Sequence, residues 1–124
     1  MKITTSEIDG IRNFLALLNS KKDSMVVVEG KRDSAALKKL GFSGMICEFH
    51  SFKGLVKFAD SMDSYKRLVL LLDLDRKGRY LTSKIISQLE HRIIIDLSFK
   101  RKLAMITKGK IRHIEDLSMY ESLE

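Results

Sequence analysis

The 124-residue chain contains no proline, no tryptophan, one cysteine and three side-chain amides: Asn13, Asn19 and Gln88. A single cysteine excludes an internal disulfide and any multi-cysteine zinc site. The apolar context Met45-Ile46-Cys47 marks it as a buried thiol in a protein of the reducing cytoplasm. No apolar run approaches the roughly 20 residues of a membrane helix. The start, Met1-Lys2-Ile3-Thr4-Thr5, lacks the basic and long apolar regions of a secretory signal, so a membrane is not expected as a partner. Few amides, abundant lysine and a core vocabulary of Ile, Leu and Val lean toward a thermophilic source. Internal repeats and low-complexity segments are also lacking.

What is present is positive charge. A formal net charge of +7 and a pI near 9.6 favour polyanionic partners, RNA or DNA first, while leaving the fold undetermined. The length is that of one domain, residues 1–124, large enough to bury a real core.

Hydrophobic patterning sets the fold class. Ile8, Ile11, Leu15 and Leu18 recur at helical spacing, with Ser6 available as the N-cap. Met25 to Val28 reads as a strand, and Ala35, Ala36, Leu37 and Leu40 form a helix that Gly41 terminates. A second unit runs from the strand Met45–Phe49 through a loop ending at Gly54 to a helix from Leu55 to about Ser61. The third is the strand Leu68–Leu72, an acidic loop to Gly78 and a helix from about Tyr80 to Leu89, and Ile93–Ile95 is a fourth strand. Leu97–Ile106 reads as a helix, and Ile111–Leu117 as a strand or a turn into a short helix. Continuous apolar strands alternating with helices imply an α/β fold: a Rossmann-like parallel sheet of about four strands with helices on both faces.

Ligands of such sheets gather beyond the carboxyl ends of the strands. The first strand ends in Glu29-Gly30-Lys31: a carboxylate, a glycine that permits a sharp turn, and a cation. The third ends in Asp73-Leu74-Asp75, and residues two apart on a strand face the same side, so both aspartates can address one cation. Three carboxylates at one edge repel unless a divalent ion neutralises them, which points to Mg²⁺ or Mn²⁺ acting on a phosphate. The helix after Lys31 aims its positive end at the same edge, and Lys31 and Arg32 add charge there.

The ordered pair Val27-Val28-Glu29-Gly30-Lys31 and Asp73-Leu74-Asp75-Arg76-Lys77-Gly78 resembles the two motifs of the Toprim domain, the catalytic fold of topoisomerases, bacterial-type primases and related nucleases. The likeness runs from about Met25 to Ile95 and is closest to small archaeal and bacterial members. It divides the chain into an N-terminal helix (1–22), a Toprim core (23–96) and a C-terminal basic extension (97–124). The resemblance implies that Glu29 is a general acid or base and a possible metal ligand, that Asp73 and Asp75 bind Mg²⁺, and that Gly30 and Gly78 are motif glycines. Lys31 falls where small members are often basic and is expected to act with Glu29 as a catalytic residue, and Gly54 resembles a further glycine before the second helix. A topoisomerase needs large strand-gate domains and a primase needs a zinc-binding apparatus, neither of which fits this chain. The implied activity is that of a metal-dependent endonuclease or nucleic-acid processing factor. The alternative is a non-catalytic nucleic-acid-binding module within a processing complex of several proteins. A phosphoacceptor receiver domain fits less well, because that fold wants an acidic pair at the first strand.

Phosphate contacts are expected from Gly30, Lys31, Arg32, Arg76, Lys77 and Gly78, and from Lys100, Arg101 and Lys102. Those last three open a run of six cations, between Leu97 and His113, that contains no acid. This run is either a backbone-tracking patch or a solvated helix face. His50, His91 and His113 have no metal-ligand spacing and read as surface or satisfied histidines; Glu115 and Asp116 are candidate outer metal contacts.

Overall fold

A computed structural model describes residues 3–123. The elements are α1 (Thr5–Asn19), β1 (Ser24–Val28), α2 (Lys31–Lys39), β2 (Ile46–Glu48), α3 (Leu55–Met62), β3 (Arg67–Leu70), α4 (Arg76–Leu89), β4 (Ile94–Asp96) and α5 (Ser98–Ile106). A 3-10 turn at Phe49–Ser51 follows β2, and a longer 3-10 segment, Ile114–Leu123, follows α5. The strands form one parallel sheet in the order β2-β1-β3-β4, with Val26 opposite Ile46 and Val69, and Val69 opposite Asp96.

Alternation along the central strands feeds two cores. Val26, Val28, Val69 and Leu71 face the layer made by α1, α2, α5 and the C-terminal segment. Met25, Val27, Leu68, Leu70 and Leu72 face α3 and α4. Burial on both faces is why these strands read as unbroken apolar runs. In the first layer Phe14 of α1 meets Phe99 of α5 edge-on at 5.7 Å. Gly10 lets these helices touch, since a β-carbon there would lie 2.7 Å from Ile106 Cγ2.

Several boundaries differ from the sequence expectation, each through a local bond. Thr4, not Ser6, caps α1, its Oγ1 accepting from the Glu7 amide at 3.1 Å. Helix α4 begins four residues before Tyr80, because Asp75 caps it by accepting from the Gly78 amide at 2.7 Å. Helix α2 likewise starts at Lys31, where Asp33 receives the Gly30 amide at 3.2 Å. Gly30 itself sits at φ −150°, extended backbone open to any residue, so it is not needed for a sharp turn. The segment expected as a strand or turn at Ile111–Leu117 is a turn leading into the 3-10 run. Among the described residues no helix is long and apolar enough to cross a membrane.

Candidate metal centre

The strand order reverses between β1 and β3: β1 leads outward to β2, and the chain then returns to β3 on the other side. The crevice beyond that reversal is where α/β sheets bind ligands, and its rims are Glu29 and Asp73. Glu29, Asp33 and Asp73 are only 7%, 7% and 9% exposed. A cleft of about 290 Å³ opens over them, with Lys31, His50 and Glu115 also on its walls.

The C-terminal segment ties these loops together. The Leu74 amide donates to the Arg112 carbonyl at 2.6 Å, the Ile114 amide to Asp73 Oδ1 at 2.8 Å, and the Glu115 amide to Asp33 Oδ1 at 3.0 Å. This lacing fixes His113, whose Nδ1 stands 3.3 Å from Asp73 Oδ2 and 3.6 Å from Asp75 Oδ2. Asp73 Oδ1 and Asp75 Oδ1 are occupied by backbone amides, so the oxygens facing His113 are those without a backbone bond. Asp73, Asp75 and His113 each offer one donor atom within 4.8 Å of the others, a set that suits a divalent ion. Two carboxylates and an imidazole thus converge on one point. The His113 pKa is raised, first by the hydrogen bond to Asp73 and then by the charges of both aspartates.

Glu29 stands beside this trio and does not join it. Its Oε1 accepts a long 3.4 Å bond from the Asp73 amide, and its pKa is raised by burial and then by the charge of Asp73. Asp33 is raised by the same two causes. His113 is an exposed histidine hydrogen-bonded to Asp73, and tertiary structure, not sequence spacing, brings it to the aspartate pair. Asp33 was missed in the sequence, although an aspartate three residues after a cap position is a legible capping signal.

The Toprim domain family matches residues 24–112. The chain belongs to the Toprim family. It is 37% identical over 117 residues to a UPF0292 protein of Pyrococcus abyssi, covering 94% of this chain and 82% of that protein. A UPF0292 protein of Methanosarcina acetivorans is 30% identical over 126 residues, covering 98% of this chain and 87% of that protein. Both relatives are archaeal. A solved structure of a putative protein from Aquifex aeolicus superimposes with a TM-score of 0.65 at 22% identity, covering 94% of this chain and 99% of that one, which speaks to the fold. Membership carries a metal-dependent role connected with nucleic acid, because Toprim domains bind divalent ions.

The remaining predicted positions scatter around the Toprim crevice. Lys31 and Arg32 are exposed in the first turn of α2, and Arg32 makes only a loose 3.9 Å pair with Glu115. Arg76 and Lys77 are exposed at the start of α4. Gly78 is buried, and its amide is already committed to Asp75. A β-carbon at Gly78 would lie 2.0 Å from the Asp73 carbonyl oxygen, so glycine is what allows α4 to pack against the Asp73 loop. The basic run divides: Arg101 and Lys102 are exposed, whereas Lys100 is half-buried with Nζ 3.3 Å from Thr82 Oγ1. Burial lowers the Lys100 pKa, Arg79 lowers it further, and the fields of Glu29, Asp73 and Asp75 oppose both. Lys100 therefore belongs to the acid cluster's surroundings and not to a solvated face.

Proposed function

We propose that the protein performs divalent-metal-dependent phosphodiester chemistry on RNA or DNA, as a nuclease or nucleic-acid processing enzyme. The observation that carries this reading is the convergence of Asp73 Oδ2, Asp75 Oδ2 and His113 Nδ1 beside a carboxyl group, Glu29, whose pKa is raised. Asp73, Asp75 and His113 would hold the ion, Mn²⁺ more readily than Mg²⁺, which takes oxygen ligands almost exclusively. When bound, the ion supplies Lewis-acid activation of the phosphate and a more acidic water. Glu29 moves the proton, since a carboxyl group shifted toward neutrality can both take and return one. Lys100 lends positive charge, and Lys31, Arg32, Arg76, Lys77, Arg101 and Lys102 hold the strand. Asp33 accepts the Gly30 and Glu115 amides and so positions the Glu29 loop against the C-terminal segment. A reducing, cytoplasmic setting accords with a single buried thiol whose pKa is pushed up to about 11 by burial.

Purified protein assayed on RNA and DNA over Mg²⁺ and Mn²⁺ series is expected to cleave at least one class, and Asp73→Asn to cleave neither at low metal. Undiminished activity of Asp73→Asn at low metal would expose a contaminating nuclease. Metal and nucleic-acid binding without turnover would leave the binding-module alternative in possession.

A further inference from the structure

Asp75 also borders a second cavity, of about 460 Å³, which shares no wall residue with the Glu29 cleft. Arg76 and Arg79 line it from the first turns of α4, and Arg112 from the C-terminal segment. Ala104 and Gly109, at the end of α5, contribute almost no side chain, which leaves the space open. Gly109 holds the left-handed φ of 76° there, and no atom lies within 4 Å of where its β-carbon would be.

The charge balance of this cavity is one-sided. Three guanidinium groups line it, and Asp75 is its one acid. The Asp75 oxygens are engaged, one by the Gly78 amide and the other near His113. Among the described residues none of Arg76, Arg79 and Arg112 forms an ion pair, and Lys100 adds a fourth positive charge felt by Arg79. Gathered guanidinium groups without counter-ions repel, and a bound anion relieves that repulsion. Their planar forks match phosphate oxygens in pairs.

We propose that this cavity seats a phosphate of the nucleic-acid strand next to the one addressed at the metal centre. The proposal rests on the nucleic-acid reading above and adds where the strand leaves the centre: past Asp75, between α4 and the Arg112 segment. The ligand chemistry is a phosphate ester, either an internal phosphodiester or a phosphorylated strand end.

The test uses single-stranded oligonucleotides bearing a 5′-phosphate, a 3′-phosphate or neither, titrated across a salt series. The proteins are wild type, Arg79→Ala/Arg112→Ala, Ala104→Glu, and Lys38→Ala/Lys39→Ala as a charge-matched control on the exposed end of α2. Losing one phosphate contact should reduce the log K against log salt slope by about 0.7, in the arginine double variant and in Ala104→Glu alike. The control should keep the wild-type slope, and all four proteins should keep their calorimetric Mn²⁺ affinity and circular dichroism. A preference for phosphorylated ends that disappears in the arginine variant assigns the cavity to a strand end; an equal slope change without such a preference assigns it to an internal phosphate. Wild-type slopes in both cavity variants, or an equal loss in the control, would overturn the proposal while leaving the metal-centre reading intact. Absence of nucleic-acid binding by the wild type would overturn both.

Discussion

Gly78 and Gly30 occupy similar places in the two motif loops, yet the structure asks different things of them. Gly78→Ala forces a methyl group into the Asp73 backbone, and overpacking of that kind destabilises by about 1–3 kcal/mol. Because the crowded atom belongs to Asp73, a proposed metal ligand, Mn²⁺ affinity should fall with the melting temperature. Gly30→Ala meets only His50 Nδ1, at 3.5 Å, in extended backbone, and should melt close to wild type. Thermal melts of the two variants check the contrast. Glu29 and Asp33 make a pH prediction. Their folded-state pKa values are raised above the ordinary 4.5 and 3.8. The native state therefore holds protons that the unfolded chain releases first. The stability they contribute is complete below those ordinary values and is lost as pH rises through the raised ones. In chelator, melting temperature should decline across that window, and the decline should shrink in Glu29→Gln and in Asp33→Asn. A melting temperature that climbs steadily over the same range would contradict the burial argument. Glu29→Gln should also reduce cleavage about 10²–10⁴-fold with metal affinity nearly intact, whereas Asp73→Asn should respond to added metal.

At the scale of elements, the apolar runs made β1 and β3 legible, and the residues after them marked the crevice. Strand order was not legible, because every strand is short and apolar and nothing in β2 or β4 says which central strand it joins. The C-terminal segment was the larger gap. Its cations suggested a patch or a solvated face, while its role depends on backbone amides and carbonyls, which carry no sequence signature: Arg112, Ile114 and Glu115 bind the acidic loops through main-chain atoms. His113 could be found only after that lacing was known. The segment is anchored far along the chain by a buried cluster. Glu7 Oε1 receives Lys110 Nζ at 2.6 Å, and Glu7 Oε2 receives the Tyr120 hydroxyl at 2.9 Å. Lys110 lowers the Glu7 pKa, and burial followed by Glu7 raises that of Tyr120. Tyr120→Phe should therefore quicken amide hydrogen exchange at residues 112–115 and weaken Mn²⁺ binding without touching a ligand. Unchanged exchange there would mean that the segment is held by its contacts with the acidic loops alone.

Across the whole molecule a net charge of +7 coexists with a buried acidic crevice. Under the proposed function the two are complementary: cations spread over α2, α4 and α5 would draw in a polyanion, and the acids would gather the ion that acts on its phosphate. Binding should be strongly salt-dependent and weak in sequence preference. Neutralising the exposed Arg101 and Lys102 should flatten the salt slope modestly and leave cleavage per bound complex unchanged. Lys100→Ala should reduce cleavage more than binding, because Lys100 is half-buried and lies in the field of Glu29, Asp73 and Asp75. On the proposed reading, the C-terminal segment completes the metal centre by supplying His113. Anomalous diffraction from crystals soaked in Mn²⁺ tests it most directly. One peak is expected at ligand distance from Asp73 Oδ2, Asp75 Oδ2 and His113 Nδ1, with Glu29 beside it and uncoordinated. A peak held by Glu29 and the aspartates, with the His113 ring turned away, would contradict that reading.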